Sequence, residues 1–501
     1  MDADFEDLTA RLAEHDDLRS AAALLRWDQA TYMPEGGTAA RGRQLATLEK
    51  LAHDRLTDPA LARLVDKVTP AAEREGAESF AAHLVRVARR DIDRAARLPA
   101  SFVSAFANHR AETYDRWTRA RPANDFAAVA GLLAKTVEMS RQYAEYFAPY
   151  DHVADPLIDL MDPDMKAASI RALFDGLRAE LVPIVDTITR AAPADASCLH
   201  QRFGEAEQLA FGSAMATKFG YDWSRGRQDM TPHPFMTKFS IGDVRITTRV
   251  RPDDLGYSLF STLHEAGHAL YEQNIDRRFE ATLLAEGTSS GVHESQSRLW
   301  ENLVGRSLPF WKGQYPSLQA AFPSQLGGVS LDTFYRAINR VQRSLIRTES
   351  DEVTYGLHII MRFDFELELL EGKLAVADLP DAWRARAKSD FGIAPATDAE
   401  GCLQDVHWFD GFVGGAFQSY ALGNIMSAQF FAAALRAHPS IPAEIEAGEF
   451  GTLRRWLAAN IHVHGRSKSA DEVVESATGA PLSTQPYLDY LRTKYGAIYG
   501  F

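Results

Sequence analysis

The chain has 501 residues, 46% hydrophobic and 24% charged, a composition ordinary for a folded globular protein with a large core. A net charge of −14 without any Lys/Arg-rich block excludes a nucleic-acid footprint. No run of about 18 apolar residues occurs, so no transmembrane helix or membrane partner is expected.

The first residues, MDADFEDLTARLAEHDD, are acidic and polar, unlike a secretory signal. The only cysteines, Cys198 and Cys402, are far apart and make no disulfide framework, which fits a reducing cytoplasm. Helical spacing runs through Leu8 and Leu12 and again through Leu45, Leu48 and Leu51, with WDQATYMPEGG (27–37) as the loop between. Residues 71–146 predict two or three helices, with turns near Leu98-Pro99 and Arg121-Pro122. Residues 151–163 are a connection, and helices resume over 165–191 and 204–219.

The pattern changes in TPHPFMTKFSIGDVRITTRV (231–250). Phe235, Thr237, Phe239 and Ile241 alternate, and a β-branched run follows Gly242-Asp243, which predicts a β-hairpin. Further helices are expected over 257–274, 291–306, 331–372, 380–390, 417–437, 443–460 and 486–497. There is no internal repeat or low-complexity linker. The fold class is therefore mainly α: one large helical unit spanning 1–501, with a small β-hairpin, around a deep active-site cleft.

The chemistry concentrates at His-Glu-Ala-Gly-His, 264–268. His264 and His268 project from one helix face about a turn apart, where two neutral imidazoles can hold one Zn²⁺. Glu265 beside them is placed to take the proton of an attacking water. The competing reading is a pair of core histidines bonded to neighbours. Gly267 is a poor helix former that marks close packing against another element. A zinc peptidase needs a third protein ligand and an open fourth position. The continuation ALYEQN (269–274) lacks the histidine of a metzincin, so the ligand comes from further on. Glu286 precedes a Gly-Thr-Ser-Ser-Gly breaker, whereas Glu294 opens the next helix, GVHESQSRLWENLVGRSL. A ligand on a packed helix is held more rigidly than one on a loop, so Glu294 leads. Taken alone, it would be a first-turn glutamate favoured by the helix dipole.

HEAGH followed by HESQSRLWEN (293–302) resembles the carboxypeptidase Taq family of metallocarboxypeptidases. IRTESDEVTY (346–355), with Ser350 where the family has Ala, GCLQDVHW (401–408) and DVRITTR (243–249) agree with its other motifs. WDQATYMPEGG near the start and SATGAPLSTQPYLDYLRTKYG near the end extend the likeness over essentially the whole chain. The resemblance implies a helical single-cleft fold similar to neurolysin and the angiotensin-converting enzymes, and release of single C-terminal residues from peptides with broad specificity. It further implies metal ligation by His264, His268 and Glu294, Glu265 as general base, one zinc ion per chain (cobalt serving in some members) and a homodimer. Where the family reads close to F-G-Y-F-P-T-Y, this chain has GGAFQSY (414–420), with Gly414, Ala416 and Gln418 replacing two aromatics and a proline, so side-chain preference is open.

An enzyme acting at a free C-terminus must recognise a carboxylate, which arginine does through paired charge-assisted hydrogen bonds. Arg347, expected on a long helix, is the candidate, and an i,i+4 pair with Asp351 is the structural alternative. His407 and Tyr420 are candidate donors to the developing oxyanion. Beside Trp408, His407 could equally be packed in a core, as could Tyr420. The DVRITTR strand is expected to pair with an extended substrate as an edge strand, placing Arg245 near the cleft. Two other readings compete: an endo-oligopeptidase or dipeptidyl carboxypeptidase with the same metal site, and a non-catalytic metal-stabilised scaffold that binds peptides. Retention of Glu265 argues against the scaffold.

Overall fold

A computed structural model describes residues 3–501, and they are mainly α-helical with one small sheet. Among the described residues, no helix is long and apolar enough to cross a membrane. The first helix, α1 (Ala3–Thr31), runs through Trp27 into the expected loop, because the N–H groups of Tyr32 and Met33 still return to the carbonyl of Asp28.

The hairpin has a third strand. β1 (Gln228–Met230) lies parallel to β3 (Asp243–Thr248), and β2 (Met236–Ser240) lies antiparallel to it, giving the order β1-β3-β2. DVRITT is therefore the central strand, with its ladder groups used on both sides, and β1 and β2 form the two edges. Val244 and Ile246 of β3 pack on Ala266 and Ala269 of α2 (Leu255–Gln273), where small side chains let the sheet lie close to the helix. Asp254 starts α2 by accepting the N–H groups of Gly256 and Tyr257.

Ser289 caps α3 (Ser290–Arg298) through the N–H of Val292. The chain then widens into a π-helical turn, Leu299–Val304, a form often found at functional sites. A Cβ on Gly267 would lie 2.6 Å from the Gln296 carbonyl and the Ser297 Cα, so only glycine permits this approach of α2 and α3. The expected packing role of Gly267 is borne out.

The single helix expected over 331–372 is broken. A helix at Leu331–Ile338 is followed by irregular chain and a 3₁₀ turn at Arg347–Glu349, before α4 (Tyr355–Glu371). Asp351 is the physical reason. Its carboxylate accepts the N–H groups of Gln342, Val353 and Thr354 and the Thr354 hydroxyl, replacing helical bonds with local ones. The 443–460 helix likewise divides into Ile441–Glu446 and Gly451–Asn460, with Gly448 at φ 79° between them. The last helix framing the site, α5 (Gln418–Ala437), packs against α3.

Candidate metal centre and its cavity

α2 and α3 bring three donors together. His264 Nε2 lies 3.5 Å and His268 Nε2 3.4 Å from Glu294 Oε2. Ligand atoms of the three residues fall within 4.8 Å of one another. Two imidazole nitrogens and one carboxylate oxygen are the donor set of a catalytic zinc site, so the residues fit a single divalent ion. Glu286 is outside the cluster and pairs instead with Arg19 at 3.1 Å. A Cβ on Gly423 of α5 would lie 2.6 Å from the Glu294 Cβ, so that helix also needs glycine where it passes the third donor.

Each donor is held from behind. Glu301 Oε2 accepts from His264 Nδ1 at 2.9 Å, which leaves the Nε2 lone pair facing Glu294. Arg298 donates from Nε to Glu294 Oε1 at 2.7 Å and from Nη1 to Glu301 Oε2 at 3.2 Å. His268 Nδ1 is 2.6 Å from His293 Nδ1, and His293 Nε2 is 2.8 Å from Glu272 Oε1. Sequence reasoning missed these four supports. Their signal is spacing: Glu272 follows His268 by four residues, Arg298 and Glu301 follow Glu294 by four and seven, and His293 adjoins Glu294.

Glu265 is 7% exposed and makes no hydrogen bond among the described residues. Burial pushes its carboxyl up to about 7. It lines a cavity of about 750 Å³ together with His264, His268, Glu294, Tyr420 and Phe235. An adjoining cavity of about 350 Å³ along β2 shares Met236, Glu286, Gly287 and His293 with it.

His407 and Arg347 lie further back than Tyr420 and do not line this cavity. His407 Nε2 is 3.2 Å from the Tyr420 hydroxyl, behind the cavity wall. Burial, reinforced by the Arg347 charge, pushes His407 down to about 4, and burial pushes Tyr420 up to about 12. At neutral pH the imidazole is uncharged and the phenol keeps its proton. Arg347 does not pair with Asp351, whose carboxylate is occupied as described above. It is buried in the 3₁₀ turn and donates from Nε to Asp405 Oδ1 at 2.8 Å and from Nη1 to the Tyr355 hydroxyl at 3.3 Å. The fully buried Arg362 donates to the other oxygen of Asp405 at 2.6 Å. Arg347 also lies 5.4 Å from the centre of the Tyr420 ring.

Arg245 is not brought to the cavity. It is paired with Asp243 through two 2.8 Å bonds and stacked on Trp27 at 4.4 Å.

The sequence profile of the Carboxypeptidase Taq (M32) metallopeptidase family matches residues 7–495. The chain belongs to this family. It is 40% identical over 493 residues to thermostable carboxypeptidase 1 of Thermus thermophilus, covering 96% of each chain. It is 34% identical over 497 residues to carboxypeptidase 1 of Bacillus subtilis, covering 99% of this chain and 98% of that one. The crystal structure of a carboxypeptidase of this family from Deinococcus radiodurans is 46% identical, covers all of both chains and superposes with a TM-score of 0.97. The resemblance read from HEAGH and HESQSRLWEN thus holds over the whole chain.

Proposed function

We propose that this protein is a metal-dependent carboxypeptidase that releases single residues from the free C-termini of peptides. One observation carries the reading: in a chain of this family, His264, His268 and Glu294 converge on the wall of one cavity beside a carboxylate, Glu265, that makes no hydrogen bond among the described residues. One zinc ion per chain, or cobalt in its place, supplies Lewis-acid polarisation and acidifies water when bound. His264, His268 and Glu294 hold it. Glu265 accepts the proton of the attacking water and returns it to the leaving amine. Tyr420 donates its hydroxyl hydrogen to the developing oxyanion, and neutral His407 orients that hydroxyl.

The choice of exopeptidase over endopeptidase rests on charge. Arg347 and Arg362 share the single carboxylate of Asp405, and Arg362 Nη2 is buried without a partner. One positive charge is left over beside Tyr420, which favours a further carboxylate, the substrate's C-terminus. Arg245 supports the sheet, and it is β2 that offers its edge to an extended peptide. The whole chain works as one catalytic unit, its cavity walled by helices in the manner of neurolysin and the angiotensin-converting enzymes. The homodimer is carried by the family likeness, and the cytoplasmic location by two free, buried cysteines.

Incubation of the metal-reconstituted protein with a peptide of known sequence, with products read by mass, tests the function. We expect a ladder in which each product is one C-terminal residue shorter than the last. Internal fragments or released dipeptides would point to the endopeptidase or dipeptidyl carboxypeptidase.

A further inference from the structure

The two imidazoles of the cluster are supported unequally. His264 Nδ1 meets the Glu301 carboxylate directly at 2.9 Å. His268 Nδ1 meets no carboxylate. It faces His293 Nδ1 at 2.6 Å, and only the far nitrogen of His293 reaches a carboxylate, Glu272 Oε1, at 2.8 Å.

Hydrogen-bond logic fixes the protons along this line. His268 turns Nε2 toward Glu294, so a neutral imidazole coordinating through Nε2 carries its proton on Nδ1. That proton must be donated, which makes His293 Nδ1 the acceptor. The His293 proton then sits on Nε2 and is donated to Glu272. Glu272 is well held for this role. Its Oε1 also accepts the Gly287 N–H at 3.0 Å, and its Oε2 accepts from Lys238 Nζ at 2.8 Å. A Cβ on Gly287 would lie 2.6 Å from His293 Cδ2, so glycine there leaves the space in which the His293 ring stands.

Building on the metal reading above, we propose that Lys238, Glu272 and His293 form a positioning relay that sets the tautomer and ring orientation of His268. Lys238 lies on β2, an edge strand, and all three relay residues line the cavity of about 350 Å³ beside the metal centre. His293 borders both cavities. The relay thus joins the strand flanking the cleft to one metal ligand, as an outer carboxylate does for a directly supported histidine.

Two measurements on metal-reconstituted full-length chains test this: the dissociation constant for Zn²⁺, and the visible absorption spectrum with Co²⁺ bound. Glu272→Ala should raise the dissociation constant about 10–100-fold and shift the cobalt spectrum. His293→Phe, which keeps a ring against Tyr271 but removes both nitrogens, should do the same and decides the matter if Glu272→Ala fails to fold. Lys238→Met, which leaves the Glu272–His293 bond in place, should have the smallest effect. A role confined to fold stability would lower the melting temperature while leaving affinity and spectrum as in the wild type. Wild-type affinity and spectrum in both Glu272→Ala and His293→Phe would therefore overturn the relay alone. A wild-type chain that binds no divalent ion would overturn the metal reading and the relay with it.

Discussion

Two buried charge clusters border Tyr420, which lines the cavity of the histidines and lies 5.4 Å from Arg347, and they are built differently. Around the histidines stand the carboxylates of Glu265, Glu294 and Glu301, with Arg298 bonded to Glu294 and Glu301 and Arg306 3.5 Å from Glu301. In the second cluster two guanidiniums, Arg347 and Arg362, serve the single carboxylate of Asp405. Buried charge is costly unless paired, so the make-up of each cluster indicates what it receives. The first has two imidazole nitrogens and a carboxylate oxygen aimed at one point, which suits a cation. The second is short of negative charge and suits a carboxylate. A peptidase that acts only at free C-termini needs both.

The comparison can be broken most severely at the cation side. His264→Ala or His268→Ala should abolish tight binding of one divalent ion per chain, measured by metal analysis after dialysis, because two remaining donors hold an ion poorly. Full occupancy in both variants would remove the cluster from the account. Glu265→Gln should keep the metal and the fold but lose about 10²–10⁴-fold in kcat, since an amide cannot accept the proton of water. Near-normal turnover would assign the base elsewhere. The smallest effect sharpens the choice of third donor: Glu294→Ala should lower metal affinity sharply, whereas Glu286→Ala, which removes only a partner of Arg19 at the cavity rim, should leave it unchanged. The opposite pattern would move the ligand to the loop.

Local rules made the first cluster legible in the sequence. Histidines four apart must share a helix face, and the preference for Glu294 over Glu286 needed only the argument that a packed helix is more rigid than a loop. Gly267 read correctly because a glycine inside an apolar helix has few uses besides close approach. The second cluster was less legible, because it is assembled from distant segments. Nothing local pairs Arg347 with Asp405. The i+4 spacing to Asp351 suggested a helical ion pair, but a carboxylate can also accept backbone N–H groups, and here it does so and ends the helix. The sheet was misread for a similar reason. Gln228–Met230 is too short to show alternation, yet its pairing turns β3 from an edge into a centre. The support from Arg298 was there to be read in its i+4 spacing from Glu294, whereas Glu301 lies inside a π-helical turn, where ordinary helix periodicity is a poorer guide.

Whether the positive cluster reads a free C-terminus is measured most directly by kcat/KM for a matched pair of peptides, free and C-terminally amidated, with wild type and Arg347→Ala. A charge-assisted hydrogen bond contributes roughly 1.5–3 kcal/mol, so amidation should lower the wild-type value by about one to two decades. Arg347→Ala should cause a similar loss on the free peptide and little further loss on the amidated one, whose partner for the arginine is already gone. Equal losses on both peptides, or internal cleavage of the amidated peptide at the full rate, would contradict the account and leave Arg347 as a structural partner of Asp405.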